Sequence, residues 1–181
     1  MVKSRAILPI LILLLLSGCD LFKSADKTDQ LPPATQEGKN TFGCLVNGKV
    51  WLPKGNNGTA NLDASYDPNF QGASIFDLSA YKINTDIDRQ YFYLFATNVT
   101  TGGSYDLSSV QLGTITFDYS YESSTDCNYN RDSVVFRTGT LTISKFDLGQ
   151  GIISGKFLGV LARPNCDTLK ITEGRFDMKF N

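Results

Sequence analysis

The 181-residue chain contains no histidine, so any chemistry it performs must run on thiols, carboxylates, hydroxyls and aromatic rings. Ser-His-Asp and Cys-His nucleophilic catalysis, histidine zinc sites and histidine acid–base work are removed together. Cys44 stands between Phe42 and Val46, an apolar setting that raises a thiol pKa and makes the side chain a small core hydrophobe rather than a nucleophile. Glycoside hydrolysis needs two carboxyl groups about 5 to 10 Å apart, and no local pattern selects such a pair among the 18 acidic residues. Asp86 with Asp88, and Asp63 with Asp67, offer oxygens suited to calcium, yet neither stretch has the spaced ligands and turn glycine of an EF-hand loop. Both read as solvated turns, and no catalytic residue, metal ligand or cofactor is assigned. Aromatic side chains are the remaining lead. Tyr91 with Tyr93, Tyr119 with Tyr121, and Tyr129 in a Ser/Asn/Asp-rich stretch would stack on sugar rings or on a partner, because such rings bring contact area at low entropic cost. The competing role is sheet packing, since aromatics are good strand formers; Trp51 reads that way.

A different chemistry is written at the amino terminus. Lys3 and Arg5 precede an apolar run over residues 6–16, which ends at Ser17-Gly18-Cys19: a charged start, a hydrophobic stretch and a small-residue cleavage site in order. The run is about half the ~20 residues a spanning helix needs, and Pro9 interrupts it. Leu16-Ser17-Gly18-Cys19 resembles a bacterial lipobox, and the resemblance implies cleavage before Cys19, thioether lipidation at its sulfur and acylation of the new amino terminus. A plain secretory signal with an incidental cysteine is the alternative. Two or more acyl chains, at roughly 0.8 kcal/mol per buried methylene, make a stable anchor where one would not. Residues 1–18 are therefore expected to be a signal peptide, and the membrane the first partner.

With Lys3 and Arg5 removed, 15 of the 17 basic residues face 18 acidic ones. Dispersed, near-neutral charge excludes nucleic acid, whose binding rests on clustered Lys and Arg. Consuming Cys19 leaves Cys44, Cys127 and Cys166 in a compartment that permits disulfides. Cys127 lies in Thr-Asp-Cys-Asn and Cys166 follows Pro164-Asn165, both loop settings, so these two are expected to pair and Cys44 to stay reduced.

The elements that would position these groups are strands. Residues 20–40 are polar with Pro32-Pro33 in the middle, a composition that predicts a tether rather than a packed element. From Thr41, alternation of Phe42, Cys44 and Val46 runs into Asn47-Gly48, the pair a type I′ turn requires, and returns, which predicts a hairpin. Runs at 75–81, 91–97, 115–121, 140–143 and 152–162 are β-branched or aromatic between Gly, Asn, Asp and Ser. The 152–162 run, apolar on both faces, predicts a central strand. At the end, Leu169 and Ile171 precede Glu173-Gly174, after which Arg175, Asp177 and Lys179 alternate with Phe176, Met178 and Phe180, placing charge on one face and core on the other. Strands without crossover helices pair antiparallel. The prediction is one all-β domain over 41–181, an antiparallel β-sandwich or flattened barrel of roughly nine or ten strands.

The pattern of residues 41–53 (Thr-Phe-Gly-Cys-Leu-Val-Asn-Gly-Lys-Val-Trp-Leu-Pro), with Gly139-Thr-Leu-Thr-Ile, Ile153-Ser-Gly-Lys-Phe and Ile171-Thr-Glu-Gly-Arg-Phe-Asp, resembles a family of small Bacteroidetes lipoproteins of unknown function. The resemblance implies a cell-envelope location, anchored to the outer membrane, and carries no catalytic residue. Asp132-Ser133-Val134 and Asp167-Thr168-Leu169 are similar to the O-glycosylation sequon of such bacteria. The functional expectation is a non-enzymatic binding module for a glycan or an envelope protein; the alternatives are a carboxylate-based glycan hydrolase and a structural envelope component.

Overall fold

The computed structural model describes residues 29–85, 88–120 and 127–180. The expected signal segment, Cys19, the first part of the expected tether, Asp86 and Tyr121 lie outside the described residues.

Asn47 and Gly48 both take positive φ (48° and 79°), the backbone a type I′ turn demands, and close the hairpin of β1 (Thr41–Val46) and β2 (Lys49–Trp51). Eight more strands follow: β3 (Leu62–Phe70), β4 (Ala73–Ile83), β5 (Arg89–Thr97), β6 (Gly103–Asp106), β7 (Gly113–Ser120), β8 (Phe136–Asp147), β9 (Ile152–Ala162) and β10 (Leu169–Lys179). They form a six-stranded sheet in the order β2-β1-β10-β9-β8-β6 and a four-stranded sheet in the order β3-β4-β5-β7. All strand pairings are antiparallel. The sheets do not close on each other, so of the two predicted architectures the chain adopts the sandwich.

Alternating residues of both sheets meet in an aromatic core. Phe42 stacks on Phe157 at 5.3 Å and tilts against Phe92 at 5.0 Å, while Phe76 stacks on Phe176 at 5.6 Å across the interface. Burying each such ring contributes roughly 1.5–3 kcal/mol. Trp51 is buried among Phe42, Phe92 and Phe117, and its Nε1 donates to Gln90 Oε1 at 2.8 Å, tying β2 to β5. Close approach is secured by glycine: a Cβ at Gly174 would stand 2.5 Å from the Phe157 ring, and one at Gly155 2.5 Å from the Thr142 carbonyl oxygen.

Four details depart from the sequence reading. Glu173-Gly174 does not separate two strands; β10 runs through it with a bulge, Glu173 at φ 51° and the register against β9 slipping between Ile171 and Gly174. The extra residue flips the side-chain parity, so Leu169 and Ile171 before it and Phe176 and Met178 after it all face the core. Asp63 and Asp67 belong to β3, not to a turn. β9 is central, between β8 and β10, but its outer face is open, with Leu158 54% exposed. Finally, Asp177 is not on a solvated charged face: it is 1% exposed, because residues 35–39 lie over it. Thr35 Oγ1 and the amides of Glu37, Gly38 and Lys39 donate to its carboxylate at 2.6, 3.0, 2.7 and 3.3 Å, and Ser154 Oγ donates from β9 at 2.7 Å. The second half of the stretch read as tether is thus an arm docked on the sheet.

Candidate site on the outer face of the smaller sheet

β5 alternates strictly. Phe92, Leu94 and Ala96 point into the core, and Tyr91, Tyr93 and Phe95 point outward. Tyr93 lies between Ser79 on β4 and Thr116 on β7; Phe95 lies between Asp77 and Thr114. The Tyr93 and Phe95 rings are nearly parallel, 6.4 Å between centroids at 15°. With Phe70 and Ile75 they floor an open groove of about 560 Å³, walled by Thr114, Thr116, Asn130 and Arg131. Two further depressions, about 440 Å³ over β8–β10 and about 410 Å³ beside the N-terminal arm, have no paired aromatic floor.

Thr114 and Thr116 come from β7, and Asn130 and Arg131 from a loop that the chemistry of the cysteines fixes in place. Cys127 and Cys166 are joined, their Cα atoms 5.7 Å apart, as expected, and Cys44 is reduced and buried. The bond clamps the segment before β8 to the turn after β9. Between Cys127 and the groove, Tyr129 pairs its backbone with Phe117 on the edge of β7, N–H to carbonyl in both directions at 2.8 and 3.2 Å. Its ring is 3% exposed and its hydroxyl donates to the Asp167 carbonyl. Asn130 and Arg131 follow directly, over the groove. Arg131 Nη2 donates to the Val110 carbonyl at 2.9 Å, Arg137 Nη2 donates to the Arg131 carbonyl at 2.9 Å, and Arg137 Nη1 reaches Thr114 Oγ1.

Electrostatics follow the burial. The Tyr93 hydroxyl is pushed up from its ordinary pKa by burial and by the Asp77 charge, against an opposing pull from Arg131. Burial also raises Asp118, which pairs with Tyr91 across β5 and β7 and whose Oδ1 finds no donor among the described residues. Arg137 is lowered by burial and then by its neighbour Arg131, with Asp132 acting the other way. Burial pushes the Cys44 thiol up to about 12, so at neutral pH it is an inert core group.

Of the tyrosines singled out in the sequence, Tyr93 lines the groove and Tyr91 is exposed beside it on the same face (36% and 38%). Tyr119 pairs with Gln90 at the far end of β7, and Tyr121 is outside the described residues. Tyr129 is corrected: it is a buried prop and not a contact, because pairing with β7 and the bond to Asp167 turn its ring inward. Phe95, Phe70 and Arg131 were missed. Phe95 was legible, since a period of two puts it on the face of Tyr93; Phe70 and Arg131 are brought there only by tertiary structure. Ser133 of the first sequon-like triplet donates its hydroxyl to the Asn128 carbonyl at 2.6 Å, whereas Thr168 of the second is exposed. The groove offers aromatic faces, hydroxyls, an amide and a guanidinium. No protein-family model, no curated protein and no solved structure matches the chain.

Proposed function

We propose that the chain is a membrane-anchored exported lipoprotein whose β-sandwich is a non-enzymatic binding module, and that it holds glycans in the groove over β4, β5 and β7. The observation that carries this reading is the parallel Tyr93–Phe95 pair flooring an open, hydroxyl-walled groove. Axial C–H bonds of a sugar are electropositive and meet the negative faces of such rings, while Thr116 and Asn130 supply hydrogen-bond partners at the rim. A hydrolase would need two facing carboxylates, and the groove wall has none. The anchor rests on the lipobox-like Leu16-Ser17-Gly18-Cys19, and the outer-membrane setting on the likeness to Bacteroidetes lipoproteins.

Glycan-array binding by the full-length protein in detergent, beside its Tyr93→Ala variant, tests the module. Specific glycan signals that fall about tenfold or more in the variant are expected, the loss typical of an aromatic anchor; an array silent with both proteins sinks the reading. An envelope protein as partner is the second reading, favoured by Val135 and Phe136, 72% and 55% exposed, on β8 and its approach.

A further inference from the structure

We infer that the groove takes acidic saccharides, the Arg131 guanidinium pairing with a ring carboxylate while the sugar face lies on Tyr93 and Phe95. The inference rests on the glycan-binding reading above and names the class of glycan.

Charge is the first ground. Arg131 is exposed on the groove wall, and among the described residues only Nη2 of its donors is committed, to the Val110 carbonyl. Arg137 stands behind it, bonded to the Arg131 carbonyl and to Thr114. Among the described residues neither guanidinium is in an ion pair. The carboxylates nearby are Asp77, whose Oδ2 already accepts from Ser65 Oγ at 2.7 Å, and Asp132, exposed on the loop. Two like charges side by side disfavour each other, which is what lowers Arg137 after burial, and an anion beside Arg131 relieves that repulsion. A guanidinium presents parallel N–H groups that match a carboxylate bidentately, so a uronic-acid ring meets both the charge and the aromatic floor at once.

The edge of β7 is the second ground, because it separates a saccharide from a peptide. An extended acidic peptide would enter by adding a strand to that edge. At Phe117 the edge is already closed by its backbone pair with Tyr129, held by the disulfide and by the Tyr129 hydroxyl. The face beside that pairing is open, and a face lined by rings suits a ring.

Calorimetric titration of the full-length protein in detergent tests this with three probes: tetragalacturonic acid, the same oligomer with its carboxyls reduced to alcohols, and a hexaglutamate peptide. The acid should bind about tenfold tighter than the reduced form, the size of one charge-assisted hydrogen bond, with an advantage that shrinks as salt is raised. Arg131→Gln should erase that advantage, so that acid and reduced oligomer bind the variant alike, and Arg131→Lys should restore only part of it. Equal affinity for acid and reduced forms overturns the acidic class while leaving the glycan module standing. Hexaglutamate binding as tightly as the acid overturns the saccharide in favour of an acidic peptide. No binding of any probe overturns the inference, and the array comparison with Tyr93→Ala then decides the module separately.

Discussion

Replacing Asp177 by asparagine should release the N-terminal arm and weaken the sandwich beneath it. The carboxylate accepts five hydrogen bonds, from Thr35, Glu37, Gly38, Lys39 and Ser154. An amide keeps the shape but offers one oxygen and turns an NH₂ toward the remaining donors. Hydrogen bonds to a charged group contribute roughly 1.5–3 kcal/mol, and an orphaned buried donor costs about 1–3 kcal/mol. The Ser154 hydroxyl cannot reach water, since the residue is 0% exposed, whereas the arm amides regain water by peeling away, which caps the loss. The balance is about 3 kcal/mol. With a urea m-value of about 2 kcal/mol per molar, the midpoint falls by about 1.5 M.

The pH dependence checks the same assignment independently. Burial alone would raise the Asp177 pKa, but the hydroxyls of Thr35 and Ser154 and the amides of Glu37 and Gly38 outweigh it and hold the carboxyl well below the usual carboxylate range. A group whose folded pKa lies below its unfolded value contributes fully above the unfolded value, about 4. That contribution is lost at about 1.4 kcal/mol per pH unit as pH falls toward the folded pKa. The gap between wild type and Asp177→Asn should therefore be widest at pH 7 and close below pH 4, and the amides of Glu37 and Gly38 should exchange faster in the variant at pH 7. A midpoint within about 0.3 M of wild type at pH 7, or a gap as wide at pH 2 as at pH 7, would refute the reasoning.

Breaking the Cys127–Cys166 bond by a double alanine substitution should cost about 4 kcal/mol on chain entropy, given the sequence separation of 39. Denaturant midpoints measure it. Thiol labelling of the wild-type sandwich at pH 8 should find Cys44 unreactive until denaturant is added, because burial keeps it protonated there; prompt labelling in the native state would contradict its burial. Gly174→Ala should destabilise by roughly 1–3 kcal/mol, the cost of forcing a packed core, since its Cβ would press on the Phe157 ring; thermal unfolding reads this, and an unchanged midpoint would show that Phe157 can move.

The hairpin at Asn47-Gly48 and the limits of β9 were legible because each is set locally, one by backbone demanded at two adjacent residues and the other by a mostly apolar run. β3 was not. Leu62, Ala64 and Tyr66 keep the period of two, but Asp63, Ser65, Asp67 and Asn69 solvate the opposite face and Pro68 argues against a strand; an edge position in the smaller sheet tolerates both. β6 has four residues, with only Tyr105 of a strand-forming type. The fate of the tyrosines depended on partners distant in sequence. Tyr93 faces outward by local alternation, whereas Tyr129 turns inward through Phe117, 12 residues away, and Asp167, 38 away. Asp177 misled for the same reason: its alternation was read correctly, but what lies over that face comes from 138 to 142 residues upstream.

The arm and the groove occupy opposite outer faces of the sandwich. Ala34 borders Lys156 and Arg175 on the six-stranded sheet, and Thr35 to Lys39 cover Asp177 there; Tyr93 and Phe95 look out from the four-stranded sheet. In the lipoprotein reading, load from the membrane enters through the arm, whose residues 35–39 are fastened to Asp177 of β10. Docking also fixes orientation, since the face held toward the tether is the one without the groove. Releasing the arm would add residues 29–40 to the leash, on the order of 40 Å at full extension, and let the domain turn. Asp177→Asn should accordingly leave the affinity of the groove for soluble ligand unchanged while altering capture of ligand fixed to a surface. A loss of soluble affinity in that variant would mean that the two faces are coupled through the core after all.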